Sequence, residues 1–469
     1  MATRAARLWI AGAVLADIVL RLRFLDVPLN VDEAGYGQVA RLWARGFALY
    51  GDTAWVDRPQ ALLGLYRGAL AFGDEWAIRM LALKAGVALV IAVAVIAWTL
   101  AGPRAAVLAA WLMAIVGPAP HIEGFTANGE LLGGAVAAVA IAIAVRWQVR
   151  PRLWLLVVAG AVAGLAPLVK QSAFDGVVVG VAIVLAVGGG RVLRLVAFAV
   201  GIALPWLVAV ALAAASPPGV SGWWFAIYGY RAQTESLVSG DLGFRLNLLG
   251  NSIPWMLVDA GVLIVLAVLG VLALRRERRL LVPLVWLGAC SAGFLVGGLY
   301  HPHYWVQLLP VGALLAGIGA ASLRRGPLVA AVAAAIPLVL ALPVYLADPI
   351  TASERSTNDP RVISAIPVGN AVARMTGADD RIQVLWANAA VYWYADRIPA
   401  TRYLWYRNIE RIPGGRQAVV AAFTGPDKPA VAVGYQPVAA LDVDGAIQRE
   451  LDAGYVRTEV AGQPVWRRG

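Results

Sequence analysis

Apolar residues along this chain arrive in blocks of about 20, the length a helix needs to cross the hydrocarbon core of a bilayer. Read in order, they predict helical spans over about 8–23, 81–101 and 105–118, a fourth that follows the short segment 119–128 and reaches about 145, and then 153–169, 173–187, 195–214, 253–274, 280–299, 304–321 and 327–347. The count is about eleven. Two stretches, about 24–78 and 215–251, are too polar to cross and read as long loops. From about residue 348 the pattern changes to short apolar runs between polar and proline-bearing turns, at 382–386, 392–394 and 403–405. Runs of that length predict strands, and with them a small α/β domain. The chain therefore divides into a membrane region, 1–347, and a soluble region, 348–469. That second region is large enough to fold without disulfide staples. Glycine and alanine crowd the spans at 129–142 and 312–321, which predicts helices packed closely on one another.

Composition agrees with the pattern. Of 469 residues, 60% are hydrophobic and 14% charged, against about a quarter charged in ordinary soluble domains. A net charge of +11 would suit a nucleic-acid binder. The arginines exclude that reading, because they gather in the short gaps between apolar blocks, as at 146–152, 191–194, 275–279 and 324–325. That is the cytoplasmic signature of a multi-pass membrane protein. Threading the spans puts every short Arg-rich connection on the cytoplasmic side, and both long loops and the C-terminal domain on the other. Arg4 and Arg7 precede the first block, and Asp17, Arg21 and Arg23 follow without a small-residue cleavage pattern, so the block reads as a retained span. The single cysteine, Cys290, lies inside an apolar block, which excludes a disulfide framework.

Polar residues concentrate at the outer edge. Immediately after the first span come Asn30, Asp32, Glu33, Tyr36 and Gln38, and further along the same loop Asp57, Arg58 and Pro59, with Arg79 at the mouth of the second span. A carboxylate beside the membrane suits proton abstraction from an acceptor hydroxyl. The plainer role for Asp32 is to cap a helix. An arginine at this height suits a lipid phosphate, or equally a salt bridge or a headgroup contact. Three further clusters fall on the same side: His121, Glu123, Asn128 and Glu130; Lys170 and Gln171; and His301, Pro302, His303, Tyr304 and Gln307. Ionisable groups so placed are costly unless they line a cavity, so the economical expectation is that they converge on one. His121 and His303 with a carboxylate are candidate ligands for a divalent metal, although no zinc-type spacing accompanies them. In the second loop, Trp223 and Trp224 read as interface aromatics and Arg231 as a further phosphate candidate.

With these residues in place, the chain resembles the polytopic glycosyltransferases of the GT-C fold, in the branch of bacterial aminoarabinose transferases and protein O-mannosyltransferases. The matching elements are Asp32-Glu33-Ala34-Gly35-Tyr36 after the first span, Asp57-Arg58-Pro59 further down the loop, His303-Tyr304 through Gln307 to Pro310 entering a late span, and the tail from Trp386 through Tyr392 to Arg402-Tyr403. The resemblance implies a polytopic helical catalytic domain with an extracytoplasmic C-terminal α/β domain, in a bacterial cytoplasmic (inner) membrane. It implies transfer of a monosaccharide, with inversion, from a polyprenyl-monophosphate donor to an envelope polysaccharide, glycolipid or protein acceptor. The sequence itself requires no cofactor, and a divalent metal is compatible with it. Asp32 is then the base with Glu33 in the same site, and Arg58 stands at the donor phosphate. Lys170, His303, Tyr304, Gln307, Arg231, Tyr36, Asp57, Arg79 and Glu130 become donor or substrate contacts. The family commonly has lysine and a proline pair where this chain has Arg58, Pro59 and Gln60. Two alternatives share the pattern: transfer of an oligosaccharide from a polyprenyl-diphosphate carrier, and a lipid or glycan transporter, for which broken spans and inverted repeats are the mark. The C-terminal domain is expected to cap the cavity or guide the acceptor, without a dense catalytic cluster of its own.

Overall fold

The structure is a computed structural model that describes residues 3–233, 242–357, 359–386, 388–442 and 444–469. Each apolar block is a helix: α1 (Thr3–Leu22), α4 (Glu75–Ala101), α5 (Pro103–Val116), α6 (Gly129–Val149), α7 (Leu153–Val169), α8 (Asp175–Ala186), α9 (Arg191–Ala214), α11 (Leu242–Leu274), α12 (Leu281–Gly297), α13 (Leu309–Ser322) and α14 (Gly326–Tyr345). Seven helical segments among the described residues are long and apolar enough to cross a bilayer, while α5, α7 and α8 are apolar but shorter. The chain is a multi-pass membrane protein. Helices α4 and α6 bury most of their length inside the bundle, whereas α9 and α14 turn most of theirs outward. Small residues set the closest crossings. A Cβ on Gly270 of α11 would lie 2.0 Å from the Leu315 carbonyl oxygen of α13, and one on Gly319 would lie 2.1 Å from that of Leu266, so the two backbones touch where no side chain intervenes.

The long loops are more helical than their polarity suggests. Residues 24–78 contain α2 (Val31–Ala44) and α3 (Gln60–Leu70), and α4 begins earlier than expected, at Glu75. In the second loop α10 (Gly219–Trp224) is helical and α11 starts at Leu242, inside the stretch read as loop; residues 234–241 of that stretch lie outside the described residues.

Short connections meet at one end of the bundle. Arg104 donates to the Leu323 carbonyl at 2.8 Å, and Arg279 to that of Leu100 at 3.0 Å. The long loops gather at the opposite end, where Arg21 reaches the Gly124 carbonyl at 2.7 Å, Tyr66 that of Ala127 at 2.8 Å, and Gln171 that of Asp57 at 2.7 Å.

The C-terminal region sits on this second end. It begins with α15 (Pro349–Thr357) and α16 (Pro360–Met375), followed by β1 (Arg381–Leu385), α17 (Ala389–Ala395), β2 (Ile398–Pro399), α18 (Tyr406–Arg411), α19 (Gly415–Thr424), β3 (Val431–Gly434), α20 (Ala446–Gly454), β4 (Tyr455–Val460) and β5 (Gln463–Arg468). The sheet order is β2-β1-β3-β5-β4. Strand β1 runs parallel to β2 and β3, and β5 antiparallel to β3 and β4. The expected strand at 382–386 is present as β1. The run 392–394 is instead helical, within α17, where Tyr392 and Trp393 bury their rings, and 403–405 contributes only a bridge from Tyr403 to Trp55. Aromatic runs three residues long do not distinguish a strand from a buried helical turn.

Docking onto the membrane region runs through α2. Arg41 and Arg45 both pair with Asp396, at 3.1 and 2.6 Å, and the Arg41 guanidinium lies 3.7 Å from the centre of the Trp393 ring. Gln38 donates to the Arg397 carbonyl at 2.9 Å.

Candidate active site

Asn30 opens α2 by a capping box: its side chain accepts from the Glu33 amide at 2.8 Å, and the Glu33 carboxylate accepts from the Asn30 amide at 3.2 Å. The cap is therefore Asn30 rather than Asp32, which leaves Asp32 free in the first helical turn. Consecutive helical residues point about 100° apart, and the two acids separate accordingly. Asp32 lines a cavity, while Glu33 is fully buried behind it.

That cavity has a volume of about 350 Å³ and lies between the loop-bearing ends of the helices and the C-terminal domain. Asp32 Oδ1 accepts from the Trp405 indole N–H at 3.0 Å, and Oδ2 from the Tyr36 hydroxyl at 3.2 Å. Burial alone opposes its charge. Arg58, His303, His301 and the Trp405 bond outweigh burial and hold the Asp32 carboxyl below the usual carboxylate range. A carboxylate that is ionised at neutral pH results.

Arg58 precedes Pro59, the N-cap residue of α3. Its Nη1 donates to Asp57 Oδ2 at 2.6 Å, and its guanidinium lies 5.5 Å from the Tyr36 ring. Asp57 also takes Arg231 from the second loop, at 3.0 Å. Burial opposes the charge on Asp57, but the two arginines overcome it and hold that carboxyl low as well. Asp57 thus spaces two cations along one wall. Only Nη1 of Arg58 is engaged by it, so the remaining guanidinium donors are available to an anion.

On the facing wall His303 lies 3.6 Å from Glu123, which Asn30 also bonds at 3.0 Å. Tyr304 joins the wall beside it. Lys170 and Glu130 pair at 2.5 Å and do not line the cavity; the Lys170 ammonium lies 5.1 Å from the Tyr304 ring and supports it. Gln307 is buried away from the cavity, near Gly293 and Ser172. Residues 302–308 form a 3₁₀ helix, whose rise puts Gln307 one turn, about 6 Å, deeper than Tyr304.

Glu33 and Arg79 are not in the wall either. Arg79 donates to Glu33 at 2.9 Å and to the Pro28 carbonyl at 2.8 Å, and Glu33 also accepts from the Ala127 amide at 2.7 Å. Burial pushes the Glu33 carboxyl up, and Arg79 with the two amides pulls against it. The pair ties α2 to α4 and to the 119–128 segment, an arrangement that positions Asp32 without touching what fills the cavity. His121 is likewise elsewhere, bonded to Asp259 at 2.7 Å and stacked on Trp255. His121 and His303 thus serve different partners, and no group of three or more His, Cys, Asp or Glu side chains among the described residues is arranged to hold a metal ion.

The C-terminal domain supplies the remaining wall, including Arg361, Trp405, Arg407 and Arg411. The domain thus closes over the cavity with three arginines and an indole. A signal was present in the sequence: 402–411 combines three arginines with three aromatics in ten residues. Its reach back to residue 32 is a property of the fold alone.

Similarity to solved structures extends over the whole chain. ArnT from Cupriavidus metallidurans in the apo state superposes with a TM-score of 0.68 at 17% identity, covering 98% of both chains. The same protein bound to undecaprenyl phosphate gives 0.67 at 17% identity, over 99% of this chain and 98% of that one. The archaeal oligosaccharyltransferase AglB from Archaeoglobus fulgidus, in complex with an inhibitory peptide and a dolichol-phosphate, gives 0.54 at 14% identity, over 99% of this chain and 74% of that one. The fold is GT-C. No protein-family model matches the chain, and no curated protein matches its sequence. The cavity occupies the junction of the helical bundle and the C-terminal domain.

Proposed function

We propose that this protein is an inverting glycosyltransferase that moves a monosaccharide from a polyprenyl-monophosphate donor to an acceptor hydroxyl of the cell envelope. It works in a bacterial cytoplasmic membrane with the cavity on the extracytoplasmic side. One observation carries the reading: an ionised carboxylate, Asp32, shares a cavity at the loop-bearing end of an apolar bundle with two cations, Arg58 and Arg231. Similarity to a structure bound to undecaprenyl phosphate supports the donor class. A cavity of about 350 Å³ is at the small end of ligand sites, about 300–1,000 Å³, and suits one sugar and a phosphate better than a preassembled glycan.

In the reaction, the acceptor hydroxyl oxygen bonds the anomeric carbon from the face opposite the phosphate. The carbon–oxygen bond to phosphate breaks, and its electron pair leaves on the polyprenyl phosphate. Asp32 takes the hydroxyl proton: each carboxylate oxygen has two lone pairs, and Trp405 and Tyr36 use one apiece. Arg58, with Arg231, matches the charge that grows on the departing phosphate, so alignment and electrostatics supply most of the acceleration.

Mass spectrometry of lipids retained by the gently purified protein tests the donor. A polyprenyl-monophosphate sugar is expected on the wild type and on Asp32→Asn, with transfer to native envelope extract lost only in the variant. A retained diphosphate-linked oligosaccharide would replace this reading by block transfer, and normal turnover by Asp32→Asn would remove Asp32 as base.

A further inference from the structure

Trp405 stands 373 residues from Asp32 in sequence and 3.0 Å from it in space. Three features make this contact more than packing. The benzene edge of the indole packs directly on α2 because position 35 is glycine: a Cβ there would lie 2.4 Å from Trp405 Cζ2 and 2.9 Å from the Ala389 methyl. Gly35 is three residues after Asp32 and so on the same helical face. Next, the Tyr36 ring packs against the indole at 5.6 Å between centres, and its hydroxyl takes the other Asp32 oxygen. The two donors, one from α2 and one from the C-terminal domain, thus hold the carboxylate at both ends. Finally, Trp405 itself faces the cavity, so its polar edge is spent on the base and not on a carbonyl elsewhere in its own domain.

We infer that Trp405 is a positioning residue for Asp32, and that the C-terminal domain is thereby a working part of the reaction centre rather than a cover over it. The inference rests on the reading of Asp32 as the base. An N–H aimed at a carboxylate favours its charged form and fixes the plane in which its free lone pairs lie. Other groups face Asp32 too. Arg58 and Asp57 belong to the first loop, His301, His303 and Tyr304 to the 3₁₀ segment, and Arg361 to the C-terminal domain. Among the described residues bonded directly to Asp32, Trp405 alone comes from outside α2.

Two variants test this in the full chain. Trp405→Phe keeps a ring against Gly35 and deletes the N–H; Gly35→Ala keeps the indole and pushes it off α2. Dicyclohexylcarbodiimide couples to protonated carboxyls, so the pH midpoint of Asp32 labelling, read by peptide mass spectrometry, reports the proton affinity of Asp32 with no donor present. Both variants are expected to raise that midpoint by about one pH unit, the shift for losing one tenfold preference for the charged form, and to leave the Asp57 midpoint where it is. In transfer assays with a panel of undecaprenyl-phosphate pentoses and hexoses, kcat is expected to fall about tenfold or more with KM for the donor little changed. An unchanged Asp32 midpoint in both variants overturns the inference. A shifted midpoint in Asp32 together with full transfer by Asp32→Asn would overturn the catalytic reading beneath it, so the two failures are distinguishable. Should Trp405→Phe lower the melting temperature sharply, Gly35→Ala carries the test.

Discussion

Two adjacent acids with different surroundings illustrate what single residues do here. Asp32 opens on the cavity with its charge favoured, and Glu33 is sealed between Arg79 and two amides. Asp32→Asn removes the proton acceptor and nothing else of that size, so transfer should fall by about 10²–10⁴-fold, the usual contribution of a general base. Because burial is overcome by Arg58 and the histidines, the Asp32 carboxyl titrates below its ordinary value of about 3.9. The carboxylate is therefore present at neutral pH and is lost only as pH falls through that depressed value. A pH–rate profile should consequently show no loss assignable to Asp32 between about pH 8 and 5. Arg58→Ala acts differently. It removes a cation that Asp57 helps hold in place, and its effect should appear first as weaker retention of undecaprenyl phosphate, measured by lipid mass spectrometry or direct binding. Sequence reading singled out Asp32 and Arg58, both of which line the cavity, because charged residues at a membrane edge demand a reason. It grouped Glu33 with Asp32, since adjacency in the chain does not reveal that a helix turns neighbours apart.

At the scale of elements, α2 is the part on which the site depends. Its start is a complete capping box, with Asn30 also bonded to Glu123 beside His303. Asn30→Ala should cost about 1–2 kcal/mol of stability, at the upper end for a cap because a second bond is lost with it. Glu33→Gln should cost more, about 3–5 kcal/mol, since it strips the partner from a buried arginine. Thermal melting followed by tryptophan fluorescence would rank the two variants, and a smaller loss for Glu33→Gln than for Asn30→Ala would contradict the buried-pair account. The box was legible as Asn-x-x-Glu before an apolar run, yet Asp32 competed for the same role on paper. What decided between them was backbone geometry at Asn30, where an extended ψ of 170° turns the side chain back onto the first turn.

Over the whole molecule, the Arg-rich connections lie at one end and the long loops with the C-terminal domain at the other. With that second end placed outside the cytoplasm, single cysteines should report the topology by labelling with a membrane-impermeant maleimide in intact cells. Glu459→Cys, on the exposed edge strand β4, should label, and Arg276→Cys, in the connection after α11, should label only after lysis. The native Cys290 is buried and should stay silent in both. Labelling of Arg276→Cys in intact cells would invert the orientation.

Hydropathy and arginine placement, read along the chain, were sufficient for the multi-pass architecture and the approximate positions of the apolar helices. These depend on local averages over about 20 residues, which a bilayer enforces from outside. The approach of Trp405 to Asp32, the bridging of Arg58 and Arg231 by Asp57, and the separation of His121 from His303 were decided only by tertiary structure. Each is a meeting of side chains from distant segments, set by the packing of the small domain on α2. A one-dimensional pattern does not encode which of several exposed polar groups will be brought within 3 Å of another. The polar edge of the bundle was thus visible in the sequence, while the cavity with its second wall came into being when the C-terminal domain docked on glycine 35.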